Sequence, residues 1–181
     1  MNRAAYFFLI LTVVLATGLA GFHFSQRHGA SGKVQVDSNA LEKLWLLELP
    51  DTGGKSQRFS QWHGKVLVVN FWATWCPPCK REIPGFARLS EKYAANGVHF
   101  VGIGVDDADK VRDFAGKTGI PYPILIGDMD LFRLSEDLGN PAQALPFTLI
   151  LDRQGKVAFI REGMLDEESL EKVLKPLADT S

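Results

Sequence analysis

The sequence predicts an α/β domain with helices on both faces of a central sheet, and three observations carry that prediction. Strand-like apolar runs alternate along the chain with helix-like stretches whose apolar residues recur at spacings of three and four. One run, Lys65 to Trp72 (KVLVVNFW), is apolar at both parities, which marks a central strand covered on both sides. The third is size: 181 residues, 46% of them apolar, supply one domain's core and exclude a disordered chain. Charge is balanced, with 20 basic against 21 acidic residues, so no basic surface is available to hold nucleic acid. Two cysteines are too few for a disulfide framework or a four-cysteine zinc site.

The charges are unevenly spread. Residues 4–22 (AAYFFLILTVVLATGLAGF) carry none. As a helix this run spans roughly 28 Å, close to the thickness of a hydrocarbon core. Residues 1–24 are therefore expected to form an N-terminal transmembrane anchor or signal sequence. Arg3 supplies the positive flank that keeps the N-terminus in the cytoplasm and sends the rest outside. Gly18-Leu19-Ala20 offers a small-x-small cleavage site, so a cleaved signal peptide is the alternative. The run outlasts a signal-peptide core and continues to Phe22 and Phe24, which favours a retained anchor. No cysteine lies near residue 20, which excludes an acylated N-terminus. Residues 25–40 are small and polar and read as a flexible linker. The domain proper is expected over residues 41–181, with 17 basic and 20 acidic residues.

Within it, Leu44 to Leu49 is a short apolar run ended by Pro50, and Asp51-Thr52-Gly53-Gly54 is a turn signal. After the central strand, a helix is expected from Pro77 to Ala95, with Phe86, Leu89 and Tyr93 on one face. Val98 to Val105 reads as a strand and Ala108 to Thr118 as a helix with Val111, Phe114 and Ala115 on one face. A short strand over Pro123 to Ile126, a short helix over Leu131 to Leu138, and strands over Phe147 to Leu151 and Val157 to Arg161 follow. Asp166 caps the last helix, with Glu167 and Glu168 in its first turn.

The chemistry is concentrated in WATWCPPCKRE, Trp72 to Glu82. Cys76 and Cys79 lie where a buried strand gives way to a helix. The thiolate is the attacking species in disulfide exchange, and a helix N-terminus stabilises it. Cys76, nearer the helix start and solvent, is the expected nucleophile, and Cys79, one turn inward, the resolving thiol. A structural disulfide or two inert buried thiols is the bland alternative. Zinc would need further ligands, and His63 and His99 have no ligand-like spacing to the pair. Covalent haem would need a histidine after the second cysteine, where Lys80 stands. No metal is therefore expected.

NFWATWCPPCKREIP, Asn70 to Pro84, resembles the thioredoxin superfamily, and within it the membrane-tethered TlpA/ResA-like thiol-disulfide oxidoreductases of bacterial envelopes. The likeness covers most of residues 41–181. It implies a thioredoxin-like fold with a central mixed sheet, and exchange with no cofactor beyond the two sulfurs. It implies that Pro146, in Leu145-Pro146 before FTLILD, is a cis-proline packed on the disulfide, and that Trp75, Pro77 and Leu145 contact the client. Trp72 matches a second active-site aromatic. Pro84 matches a proline that kinks the active-site helix, as an interior proline does on steric grounds. Gly155 and Gly163 match a hairpin and the turn before the last helix, and residues 105–130 match the family's inserted strand and helix material. Two departures stand out. Asn70 occupies the position of thioredoxin's buried proton-accepting aspartate and cannot titrate, leaving the base unassigned. Phe147 replaces a small or hydroxylated residue after the cis-proline, which predicts a more apolar client groove.

The resemblance further implies a client protein carrying a disulfide or thiols, a membrane electron donor for re-reduction, and a domain facing the periplasm or cell exterior, anchored in the inner membrane by its N-terminal helix. A thiol-dependent peroxidase shares the fold, but the Pro-x-x-x-Thr-x-x-Cys pattern is missing, since Thr74 stands only two residues before Cys76. A non-catalytic binding module would keep its cysteines from cycling. Finally, Pro77 and Pro78 have no N–H to offer a Cys76 thiolate. Its pKa should then sit near thioredoxin's value of about 7 and the potential near roughly −270 mV, the range of a reductant.

Overall fold

The computed structural model describes residues 36–179, which all belong to the second of two compact units, residues 35–181. The expected anchor and most of the expected linker lie outside the described residues. Among the described residues, no helix is long and apolar enough to cross a membrane.

The folded part begins before residue 41. Asp37 accepts from the Asn39 N–H and caps helix α1, Ser38–Leu46, which buries Ala40 and Leu44 four residues apart. The apolar run at 44–49 is thus divided between the end of α1 and a short strand β1, Glu48–Pro50. β1 pairs antiparallel with β2, Ser56–Arg58. The Asp51 carboxylate organises the turn between them by accepting from the Gly53 and Lys55 N–H groups. A 3₁₀ turn, Phe59–Trp62, leads to β3, Val66–Trp72.

All seven residues of β3 are buried. Burying one large aliphatic side chain is worth roughly 1.5–3 kcal/mol, so this run fixes the centre of the fold. β3 lies between the parallel strand β4, Val98–Val105, and the antiparallel strand β6, Phe147–Leu151. β5, Ile124–Gly127, extends the sheet parallel to β4, and β7, Val157–Glu162, closes the other edge, giving the order β5-β4-β3-β6-β7. The sheet is mixed, as the resemblance implied. Gly155 takes the left-handed conformation, φ 73°, in the β6–β7 turn, and Gly163 does so, φ 78°, in the loop after β7.

Helices cover both faces. On one lie α2, Pro77–Tyr93, α3, Ala108–Thr118, and α5, Glu167–Asp179, whose Phe86, Leu89, Val111, Leu170 and Leu174 pack on Val68, Trp72 and Ile150. On the other, α1 and α4, Met129–Asp137, contribute Leu44, Leu131 and Phe132 against Leu67, Val69 and Phe71. Segment 105–130 supplies α3 and the edge strand β5. Aspartates cap α1, α3, α4 and α5; α2 alone is capped by a cysteine.

Candidate active site

β3 ends at Trp72, and Ala73-Thr74-Trp75 turns the chain into α2. The Thr74 hydroxyl hydrogen-bonds the carboxylate of Asp106, just past β4, which ties this loop to the neighbouring strand. Cys76 is the N-cap of α2 and forms a disulfide with Cys79. Cys76 Sγ accepts from the Cys79 N–H at 3.3 Å, the N3 donor of a capped helix. The N1 and N2 residues are Pro77 and Pro78, so neither can add a second bond. Both sulfurs are buried, Cys76 with 3% exposure and Cys79 with none.

The Leu145–Pro146 peptide is cis, and Pro146 is buried. Phe71 pairs with Phe147, and continuing that register sets Pro146 level with Trp72, where the cysteine loop departs. The Pro146 carbonyl accepts from the Gly163 N–H at 2.8 Å, which joins this loop to the turn before α5. Leu145 packs against the cluster that contains both cysteines. It also lines, with Trp75, Ile126, Met129 and Phe132, a groove of about 690 Å³ rimmed by Asp106. Trp75 is 65% exposed there. Pro77 is exposed at the start of α2 and does not line that groove.

Phe147 does not make the groove more apolar. Strand alternation turns it to the far face, where it is fully buried against Phe71. Thr148 shares the face of Asn70 instead.

Sequence reasoning missed Glu82. It lies one turn past Cys79 on the buried side of α2, among Cys79, Ile83 and Phe86, and is 4% exposed. Asn70 Nδ2 donates to Glu82 Oε1 at 2.8 Å and the Leu165 N–H donates to Oε2 at 2.9 Å. Burial pushes the carboxyl up to about 7, against these two bonds, which favour the charged form. A charged residue inside the apolar stripe of a helix was the available signal. Asn70 holds the position expected of a buried acid, and the carboxyl of Glu82 stands across from it on α2. Among the described residues, no cluster of His, Cys, Asp and Glu could hold a metal ion.

A disulfide at the N-cap of a helix, beside a cis-proline loop on a mixed sheet, defines the thiol-disulfide oxidoreductases of thioredoxin fold. The chain belongs to the Redoxin family, which it matches over residues 31–174, and is a ResA-like thiol-disulfide oxidoreductase within it. It is 33% identical over 130 residues to the thiol-disulfide oxidoreductase ResA of Geobacillus kaustophilus, covering 71% of this chain and 72% of that one. With ResA of Bacillus subtilis it shares 30% identity over 141 residues, 77% of this chain and 75% of that one. Among solved structures, a thiol:disulfide interchange protein of the thioredoxin family from Chlorobium tepidum superposes with a TM-score of 0.67 at 28% identity, over 73% of this chain and 92% of that one. A secreted thiol-disulfide isomerase from Corynebacterium glutamicum does so at 0.67 and 26% identity, over 84% and 96%.

Proposed function

We propose that this enzyme reduces disulfides of client proteins outside the cytoplasm. Cys76 is the nucleophile, Cys79 the resolving thiol, and Pro146 the residue that shapes the client-facing side of the pair. The observation that carries the reading is the environment of Cys76: a helix N-cap sulfur with a single backbone donor, the Cys79 N–H. That suffices to favour a thiolate while leaving it less stabilised than in an oxidising enzyme.

In the reduced enzyme, the Cys76 thiolate attacks a client disulfide, forming a Cys76–client disulfide and releasing one client thiolate. Cys79 then gives up its proton and attacks Cys76 Sγ, which closes the Cys76–Cys79 disulfide and expels the second client sulfur. The client is reduced by two electrons and the enzyme oxidised by two. Glu82, next to Cys79 and poised near neutrality, receives the Cys79 proton and returns it to the departing sulfur. Trp75, Leu145 and Pro77 contact the client segment, with the groove between Trp75 and Leu145 taking its apolar side chains. A membrane electron donor restores the dithiol. Residues 1–24 serve as a single-pass anchor in a bacterial inner membrane, the following residues as a linker, and the domain faces the periplasm or cell exterior.

The attack order is tested by trapping. Reduced Cys79→Ser should accumulate a client adduct on non-reducing gels, because its mixed disulfide cannot be resolved, whereas Cys76→Ser should form none. An adduct with Cys76→Ser alone reverses the assignment.

A further inference from the structure

Glu82 and Asn70 are matched to one another in only one protonation state. Asn70 Nδ2 donates both to Glu82 Oε1, at 2.8 Å, and to Thr148 Oγ1, at 3.1 Å. Asn70 Oδ1 is left buried with no partner, one of two such side-chain atoms among the described residues. That arrangement suits a carboxylate, which only accepts.

A proton arriving at Glu82 changes the match. Oε2 already accepts from the Leu165 N–H, and a proton on Oε1 leaves that bond intact. Oε1–H then faces Nδ2–H, donor against donor, inside a buried site. Half a turn of the amide about its Cβ–Cγ bond removes the conflict, because oxygen and nitrogen exchange places within nearly the same outline. Oδ1, otherwise orphaned, would accept from both Glu82 Oε1–H and the Thr148 hydroxyl, which donates as readily as it accepts.

We propose that the Asn70 amide turns over with each proton that enters or leaves Glu82, pivoting against Thr148, and is thereby a positioning residue for proton transfer in disulfide exchange. The proposal rests on Glu82 being the acceptor of the Cys79 proton. An aspartate at position 70 would set a second carboxylate against Glu82; asparagine supplies a donor and an acceptor without a competing charge. The other titratable groups near Glu82 leave it to change alone. Burial, with the Glu82 charge adding to it, pushes the Tyr122 phenol up and keeps it neutral. Asp166, beside Leu165, is turned to Ser169, and Glu167 is paired with Arg88. Lys80 and Arg81 are exposed on the outer side of α2, and the oxidised cysteines carry no proton.

The test is an NMR titration of the oxidised full chain, isotope-labelled and held in detergent micelles, from about pH 5 to about pH 9. Glu82 Cδ reports the carboxyl, and nuclear Overhauser effects from the Asn70 Hδ2 protons to the Thr148 methyl report the amide. Those contacts should be present on the alkaline side and fade with the Glu82 midpoint on the acid side. Glu82→Gln should show the acid-side pattern at every pH, because its Oε1 takes the Leu165 N–H and its NH₂ must meet Asn70 Oδ1. Asn70→Leu, with its fold checked by circular dichroism, should raise the Glu82 midpoint by about one pH unit, since the carboxylate loses a donor. If Glu82 titrates while the Asn70 contacts stay constant, the turning amide is refuted and Glu82 stands as acceptor. If Glu82 does not titrate across this range, both readings fall.

Discussion

At the level of single residues, Glu82 is charged at the expense of the fold. Its folded pKa of about 7 lies above the ordinary value of 4.5, because burial outweighs the bonds from Asn70 and Leu165. The folded state therefore holds this proton more tightly than the unfolded chain. The stabilising contribution is fully present below about pH 4.5 and is lost as pH rises through about 7. The gap corresponds to about 3 kcal/mol. Glu82→Gln removes the ionisation, so it should match the wild type near pH 4 and be more stable by up to about 3 kcal/mol near pH 8, as read from urea melts. The same variant should slow resolution of the mixed disulfide on the order of 100-fold, the usual scale of general-base catalysis. Equal stability at pH 8 would show that Glu82 is not ionised against its surroundings. The Cys76–Cys79 pairing was legible in the local spacing of the two cysteines, and the cis peptide at Pro146 only through the family resemblance of the residues around it. The Asn70–Glu82 pair was not, since it joins a strand to a helix 12 positions away and needs the packing of α2 on β3 to bring it together.

Among the elements, β4, α3 and β6 run as the periodicity predicts: the two strands are apolar almost throughout, and α3 turns Val111, Phe114 and Ala115 to the core between its Asp107 cap and Gly119. The segment at 44–49 does not. Leu44 answers to Ala40 across one helical turn under the Asp37 cap, and Glu48–Pro50 to its partner Ser56–Arg58, so one apolar run serves two elements. The start of α2 is where element and chemistry meet. Its N2 position lacks a donor because Pro78 fills it, leaving only the Cys79 N–H on the cap sulfur. Pro78→Ala restores the N2 donor without disturbing the N1 proline. A bond to a thiolate worth about 1.4 kcal/mol, near the low end for hydrogen bonds to charge, lowers the Cys76 pKa by about one unit. It favours the dithiol, so the potential should rise by about 30 mV from a wild-type value near roughly −270 mV. Equilibration with graded thiol buffers measures both proteins. A wild-type potential above about −180 mV overturns the reductant reading, and an unmoved variant shows that the restored N–H does not reach the sulfur.

For the molecule as a whole, the domain's near-balance of basic and acidic residues supplies no net positive charge to hold it at an anionic surface, so in the proposed arrangement its location would rest on the N-terminal run. A reductant working in an oxidising envelope meets a steady supply of disulfides and must be recharged by electrons brought across the membrane. In the proposed arrangement, tethering would keep the domain within reach of a membrane-borne donor, since a random-coil connection of about 12 residues has a root-mean-square span on the order of 20 Å. In that arrangement, retention of residues 1–24 would matter for turnover as well as for address. The full chain should partition with membranes, resist extraction by high salt, and yield an N-terminus at or next to Met1 on sequencing. A soluble form beginning near Gly21 would instead mark the run as a cleaved signal. Such a form would still be exported, but it would have to meet its donor by diffusion. Adding the soluble cleaved form to donor-containing membranes, reconstituting the tethered form into the same membranes, and comparing re-reduction rates separates the two arrangements: the tethered form should be faster at low enzyme concentration and lose that advantage as the concentration rises.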